Sequence, residues 1–250
     1  MIIVPLPILK TWLRWVAALS PDEARIASTE GGDHLILTGI DAGVAALGES
    51  RIDEYVVSEN SPAGLPAIDA AFDPTVLHAA IRPYPATSLA LIDIDDDDIS
   101  VRVGKQTHKF PLLSTKNLRP IPTKLPESWV DGTGQKAVLE GAELSSIIRS
   151  SSRISEEMTI GVEPSSVGDY RLFARSQSPS ERFEFVLGGV GDAEDAAIYS
   201  TSYLKPLLPI ISSCEEVSIR WTRREPLFIH CEPEAGLELR AVIAPRMSLD

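Results

Sequence analysis

Cysteine is nearly absent from this chain of 250 residues. Cys214 and Cys231 are too few to build a disulfide framework and read as free, buried thiols in a reducing compartment. Histidine is also sparse, and His34, His78, His108 and His230 show no metal-ligand spacing. No serine or cysteine sits in a recognisable nucleophile turn, and Gly188-Gly189-Val190-Gly191 lacks the lysine and the strand-to-helix setting of a phosphate loop. These gaps argue against an enzyme and against a resident metal or cofactor. No apolar run approaches the length that crosses a bilayer, so no membrane partner is expected. The apolar opening, residues 1–20, carries Lys10 and Arg14 where a signal peptide needs an uncharged core, and it reads as mature structure. Positive charge is scarce: 23 Lys and Arg against 36 Asp and Glu leave a formal −13, a balance that ordinarily counts against nucleic acid.

What is present describes an ordinary globular chain of one or two domains, 44% hydrophobic and 24% charged. Proline is concentrated near the middle, where Pro120, Pro122 and Pro126 forbid a helix or central strand across residues 114–128. This linker halves the chain. Its Leu118, Ile121 and Leu125 are spaced to present apolar side chains outward from a stiff backbone.

Apolar residues at helical spacing predict helices over 8–19, 75–82 and 143–153, the second opened by an Asp73 N-cap and Pro74. A last helix starts near the caps at Ser200 to Ser202 and runs to Ile211, with Pro206 and Pro209 kinking it. Strands are expected at 24–28, 34–40, 52–57, 67–72, 88–94, 99–103 and 107–113. Beyond the linker they are expected at 158–162, 170–175, 182–187, 196–199, 217–221, 227–232 and 237–243, with residues 188–195 as a loop. The acidic run from Asp95 to Asp98 could be offered as a metal site, but calcium ligands are spread around a glycine-bent loop, and a solvated hairpin tip is the better reading.

A pattern recurs four times: a short apolar helix with a basic residue, a polar turn, then an alternating strand. Its leading residues Leu9, Val76, Leu144 and Leu204 stand 67, 68 and 60 positions apart by subtraction, a period that marks a duplicated unit. Two copies fall on each side of the linker, which predicts two similar domains, each with two helices on antiparallel sheet. Over 8–19, 74–82, 142–153 and 203–212, six basic residues face one acidic residue, Glu143. These helices therefore carry +5 and the rest of the chain −18, leaving one surface suited to phosphate.

With these residues in view, the chain resembles the DNA sliding clamps of the PCNA family, archaeal and eukaryotic, over essentially its whole length. The most specific match is residues 195–247, ending in Ile243-Ala244-Pro245-Arg246. Ile8-Leu9-Lys10, Ile40-Asp41 followed by Val44 and Leu47, and the connector from Leu113 to Pro126 add to it. The resemblance implies an α+β fold of two topologically similar domains, 1–113 and 129–250, joined by a connector at 114–128. Three subunits of that fold would close head to tail into a ring around duplex DNA. Lys10, Arg14, Arg82, Arg149, Arg153 and Lys205 are then the DNA-facing candidates. A partner-peptide pocket would take Ile40, Val44, Leu47, Leu118, Ile121, Pro226, Val242, Ile243, Ala244 and Pro245. The implied partners are DNA polymerase, clamp loader, flap nuclease and ligase, each through a short peptide motif, and the chain itself as a homotrimer. The chain departs from the family in a short segment after Leu187, in Pro206 and Pro209, and in the large Trp12 and Trp15. No acidic tail or nuclear-localisation run follows Arg246, which favours an archaeal clamp, cytoplasmic and nucleoid-associated, or one carried by a virus of archaea. Two alternatives stay open: a checkpoint-type or heterotrimeric clamp subunit, and a structural protein that keeps the fold without binding DNA.

Overall fold

Local chemistry sets where the helices begin. Pro7 lies in the first turn of the first helix and Pro74 in that of the second, where a missing N–H costs nothing, and the Asp73 carboxylate accepts from Val76 N–H at 2.9 Å. The computed structural model describes residues 1–28, 34–53, 55–57, 67–114, 121–125, 134–165, 170–190, 194–223 and 225–246. They fall into two units, Met1–Leu125 with Glu234–Leu239, and Pro126–Pro233 with Arg240–Asp250.

The first unit runs β1 (Ile2–Pro5), α1 (Leu6–Leu19), β2 (Ala24–Ser28), β3 (Leu35–Ile40), β4 (Ala46–Ile52), β5 (Val56–Val57), β6 (Ile68–Phe72), α2 (Pro74–Ile81), β7 (Leu89–Ile94), β8 (Asp98–Val103) and β9 (Gln106–Pro111). One antiparallel sheet has the order β5-β1-β7-β8-β9, and β4-β3-β2-β6 lie side by side in another. α1 turns Leu9, Trp12, Leu13, Trp15, Val16 and Leu19 into the core, the i, i+3, i+4 stripe of an amphipathic helix. Trp12 is buried with its indole N–H donating to Ser50 O at 3.0 Å. At Gly39 the helix comes so close to the sheet that an added Cβ would meet Val16 Cγ1 at 2.5 Å.

The second unit runs β10 (Gln135–Glu140), α3 (Gly141–Ile154), β11 (Glu157–Pro164), β12 (Tyr170–Gln177), β13 (Arg182–Val190) and β14 (Asp195–Ser200). Then come α4 (Thr201–Leu204), a 3-10 turn (Lys205–Leu207), α5 (Leu208–Ile211), β15 (Glu216–Trp221), β16 (Leu227–Glu234) and β17 (Leu237–Ile243). Its sheets have the orders β13-β12-β11-β14 and β10-β15-β16-β17, and the hairpin tip Glu234–Leu239 is grouped with the first unit. α3 turns Leu144, Ile147 and Ile148 inward.

The fourfold pattern is real and fuller than expected, because each helical segment is entered directly from a strand: β1, β6, β10 and β14. Two of those strands went unforeseen. β1 merges in sequence with the apolar helix behind it, and β10, with Lys136, Val138 and Glu140 outward, carries a weak alternation. The expected strand at 52–57 is corrected: the main strand is β4, ending at Ile52, and it includes Leu47. Gly48, Glu49 and Ser50 hid it, being poor strand formers that are nonetheless buried. The expected loop at 188–195 is shorter, since β13 continues to Val190 and β14 starts at Asp195. Pro206 and Pro209 break the last helix into two single turns around the 3-10 segment. Trp12 and Trp15 do not crowd an exposed face, because both point into the core. Asp95 Oδ1 accepts from the N–H groups of Asp97 and Asp98 in the β7–β8 turn, and these bonds hold its carboxyl below the usual range.

Candidate nucleic-acid and partner-binding residues

Residues four apart on a helix share a face, and three such basic pairs occur in the described residues. On α1 they are Lys10 and Arg14; on α2, His78 and its neighbour beyond the last turn, Arg82; on α3, Arg149 and Arg153. Arg14, Arg82, Arg149, Arg153 and Lys205 are exposed, Lys205 in the 3-10 turn. Lys10 differs from them. It is half-buried, and its ammonium donates to Arg82 O at 3.0 Å and Tyr84 O at 2.6 Å, capping the carbonyl end of α2. α1 and α2 thus bring Lys10, Arg14 and Arg82 around His78, whose pKa is lowered by burial first, then by Arg14, Arg82 and Lys10. Sequence reasoning missed His78; its place four residues before Arg82 was the available signal.

The expected partner residues divide between the units. In the first, Ile40 ends β3 and Leu47 lies in β4, both buried, while Val44 stands 67% exposed in the turn between them. That turn is built on Asp41. Its carboxylate accepts from Gly43 N–H at 2.9 Å and from Ala45 and Ala46 N–H at 2.6 Å each, and Asp41 N–H closes onto Ala46 O at 3.0 Å. Val44 has φ of +56°, the one non-glycine at positive φ among the described residues. A β-branched side chain in that region is strained, and here the strain holds an apolar group in solvent.

The described part of the connector, 121–125, is fastened to the sheet beneath it. Arg25 Nη1–H donates to Ile121 O at 2.8 Å, Thr38 Oγ1–H to Pro122 O at 2.6 Å, and Leu125 N–H donates to the buried Glu49 carboxylate. Arg25 is itself oriented by a bidentate pair with Asp69, at 2.7 Å to each oxygen, which keeps the Asp69 carboxyl below its usual range. Ile121 and Leu125 are buried, so the expectation that they project outward is corrected: with the backbone bonded by three sheet side chains, the apolar residues turn down onto the sheet. Leu118 lies outside the described residues. Arg25, Thr38 and Glu49 were missed, because nothing local marks a strand residue as the anchor of a distant segment.

In the second unit Pro226 is half-buried before β16, Val242 and Ile243 are buried in β17, and Ala244 and Pro245 are half-buried just after it. Arg246 N–H donates to Ile198 O at 2.7 Å, and its guanidinium reaches Glu157 at 2.7 Å. A cavity of about 940 Å³ beside this segment is lined by Thr159, Phe173, Arg175, Asp195, Arg223 and Pro245 among others. Glu163 and Arg175 also belong to an ion-pair cluster on this sheet: Arg171 and Arg175 each pair with both Glu163 and Glu184, and Arg182 adds to Glu184. Burial works against the Glu163 carboxylate, but Arg171 and Arg175 outweigh it and hold its pKa down; Arg182 leads in doing the same for Glu184.

Cys214 and Cys231 are free and buried, with hydrogen-bonded side chains. Among the described residues no group of three or more His, Cys, Asp or Glu is placed to hold a metal ion, and no helix is long and apolar enough to cross a membrane.

A fourfold strand–helix–strand repeat divided over two units, with antiparallel sheets and basic helices, is the architecture of a DNA clamp. The chain has the fold of PCNA-type sliding clamps from end to end. It matches an Archaeoglobus fulgidus PCNA, solved with the C-terminal region of FEN-1 bound, with a TM-score of 0.82 over 100% of both chains at 20% identity. It matches Entamoeba histolytica PCNA at 0.75 and 14% identity over 98% of each chain. A PCNA2–PCNA3 complex from Sulfolobus tokodaii gives 0.75 and 16% identity over 98% of this chain and 99% of that one. By sequence it is 24% identical over 215 residues to the DNA polymerase sliding clamp of Methanosarcina mazei, covering 83% of this chain and 81% of that protein. No family model matches the chain.

Proposed function

We propose that this chain is a DNA sliding clamp, a processivity factor that encircles duplex DNA as a homotrimeric ring and tethers polymerase and other replication and repair proteins to it. The observation that carries the reading is the exposure of five basic helix residues, Arg14, Arg82, Arg149, Arg153 and Lys205, on a chain of net charge −13 whose fold is that of sliding clamps end to end. Cations presented on helix surfaces give contacts with phosphate that carry no base readout, which is what a sliding ring requires. Lys10 contributes its charge from a fixed position at the end of α2. The domains of the reading are 1–113 and 129–250, with 114–128 as connector, and its setting is the cytoplasm of an archaeal-type cell.

Self-association has support in sheet edges that carry no further strand among the described residues, such as β9 at one end of the five-stranded sheet and β13 at one end of the four-stranded sheet. An edge strand is a template for backbone pairing with another copy. For partners, the strained and exposed Val44 is the strongest single feature, in keeping with a short apolar peptide from a polymerase, clamp loader, nuclease or ligase. Ile40, Leu47 and Ile121 in the first unit and Pro226, Val242, Ile243, Ala244 and Pro245 in the second complete the proposed set, with Leu118. Light scattering across a salt series tests the assembly. A species of three times the 27.1 kDa chain mass is expected, and a monomer at every salt concentration contradicts a homotrimer.

A further inference from the structure

We propose that His78 is a fourth phosphate contact of the first unit, and that it takes up a proton when duplex DNA arrives. The inference rests on the sliding-clamp reading. Lys10 and Arg14 are four apart on α1, and His78 and Arg82 are four apart on the adjoining α2, so two basic pairs lie side by side on packed helices. Three members are permanent cations. Lys10 is pinned by Arg82 O and Tyr84 O, so it cannot swing away from the group.

The charges that act on His78 are Arg14 and Lys10 from α1 and Arg82 from its own helix, all positive. The acid of α2, Asp73, is engaged with Val76 N–H at the far end of the helix. Burial and these three cations together hold the imidazole below its ordinary value of 6.5, so in the free protein it is neutral at pH 7. A phosphate seated on the group reverses that balance, because its charge offsets the repulsion that keeps the proton off. The pKa of His78 is then higher in the complex than in the free chain. By linkage, DNA affinity rises as pH falls from the bound value toward the free value, and levels off below the free value. Among the described residues the helices of the second unit carry no histidine, since its His230 lies in β16.

The test is fluorescence anisotropy of a labelled duplex of arbitrary sequence with the full chain, at fixed low salt, between pH 6 and pH 8. Each unit of pKa rise corresponds to about tenfold in affinity, so the wild-type chain is expected to bind about three to ten times more tightly at pH 6 than at pH 8. Its salt dependence is expected to steepen by about 0.9 in log–log slope at the lower pH, the value of one added phosphate contact. His78→Gln is expected to bind as the wild type does at pH 8 and to lose the gain at pH 6. An unchanged pH profile in His78→Gln overturns the inference and leaves the clamp reading standing. No binding of duplex by the wild-type chain at any pH also overturns the inference, whereas the clamp reading falls only if the chain is not retained on a closed circular duplex. A measurement without substitution uses the His78 ring proton signals in NMR: an upward move of the titration midpoint on adding duplex supports the inference, and an unmoved midpoint refutes it.

Discussion

In the first unit α1 packs on β3 and β4 by burying two indoles, Trp12 and Trp15, whereas α3 in the second unit meets its sheets with Leu144, Ile147, Ile148 and two buried serines. One interface is filled by volume and the other closed by approach. At the start of α3, Gly141 N–H donates to Cys214 O at 3.2 Å, and an added Cβ would stand 2.0 Å from Ile211 O and 2.4 Å from Cys214 O. The second helices differ in the same sense: α2 is a single capped helix, while α4 and α5 are single turns, with Pro206 in the 3-10 segment between them and Pro209 in the first turn of α5. The repeat is therefore held by topology and by where strands enter helices, not by repeated side chains. Each unit is therefore vulnerable to a different kind of change.

The largest effect is expected from emptying the first interface. Trp12→Ala removes a fully buried indole and its hydrogen bond to Ser50 O, at a cost of about 3–5 kcal/mol in urea denaturation followed by circular dichroism. Overfilling the second is expected to cost somewhat less: Gly141→Ala drives a methyl against two backbone carbonyls, and a loss of about 1–3 kcal/mol in the same assay follows. A gain near zero there would mean that the close approach of α3 is not a constraint. Relief of strain comes next. Val44→Gly puts a permissive residue at φ +56° and is expected to stabilise the chain by about 1 kcal/mol while weakening partner-peptide binding in calorimetry. Unaltered peptide affinity would separate the strained turn from partner binding. The smallest effect belongs to the serines of α3. The Ser151 hydroxyl is buried without a hydrogen-bond partner among the described residues, so Ser151→Ala is expected to raise stability by roughly 0.5 kcal/mol through helix propensity and a relieved orphan group.

Much of this fold was legible from spacing alone, because helix faces and caps are local signals. Asp73-Pro74 and the stripe through Trp12 and Val16 announce their helices without tertiary information. β4 was not legible, since Glu49 and Ser50 are polar in sequence and buried in space, one to hold Leu125 and the other to meet Trp12. Candidate DNA contacts could be named because charge segregation survives in composition. The environment that distinguishes pinned Lys10 from exposed Arg14, or that gathers His78 among three cations, exists only once α1 and α2 pack. Val44 was named by resemblance, but its backbone strain has no sequence signature.

Topological retention separates a ring around DNA from a protein that merely binds it. With a clamp loader and ATP, the chain is placed on a closed circular duplex, the complex is isolated by gel filtration, and the DNA is then cut once. The account predicts that the chain stays with the circle at a salt concentration that abolishes binding to linear duplex, and that it leaves when the circle is opened. Loss from the intact circle, or retention on the cut one, would contradict a sliding ring.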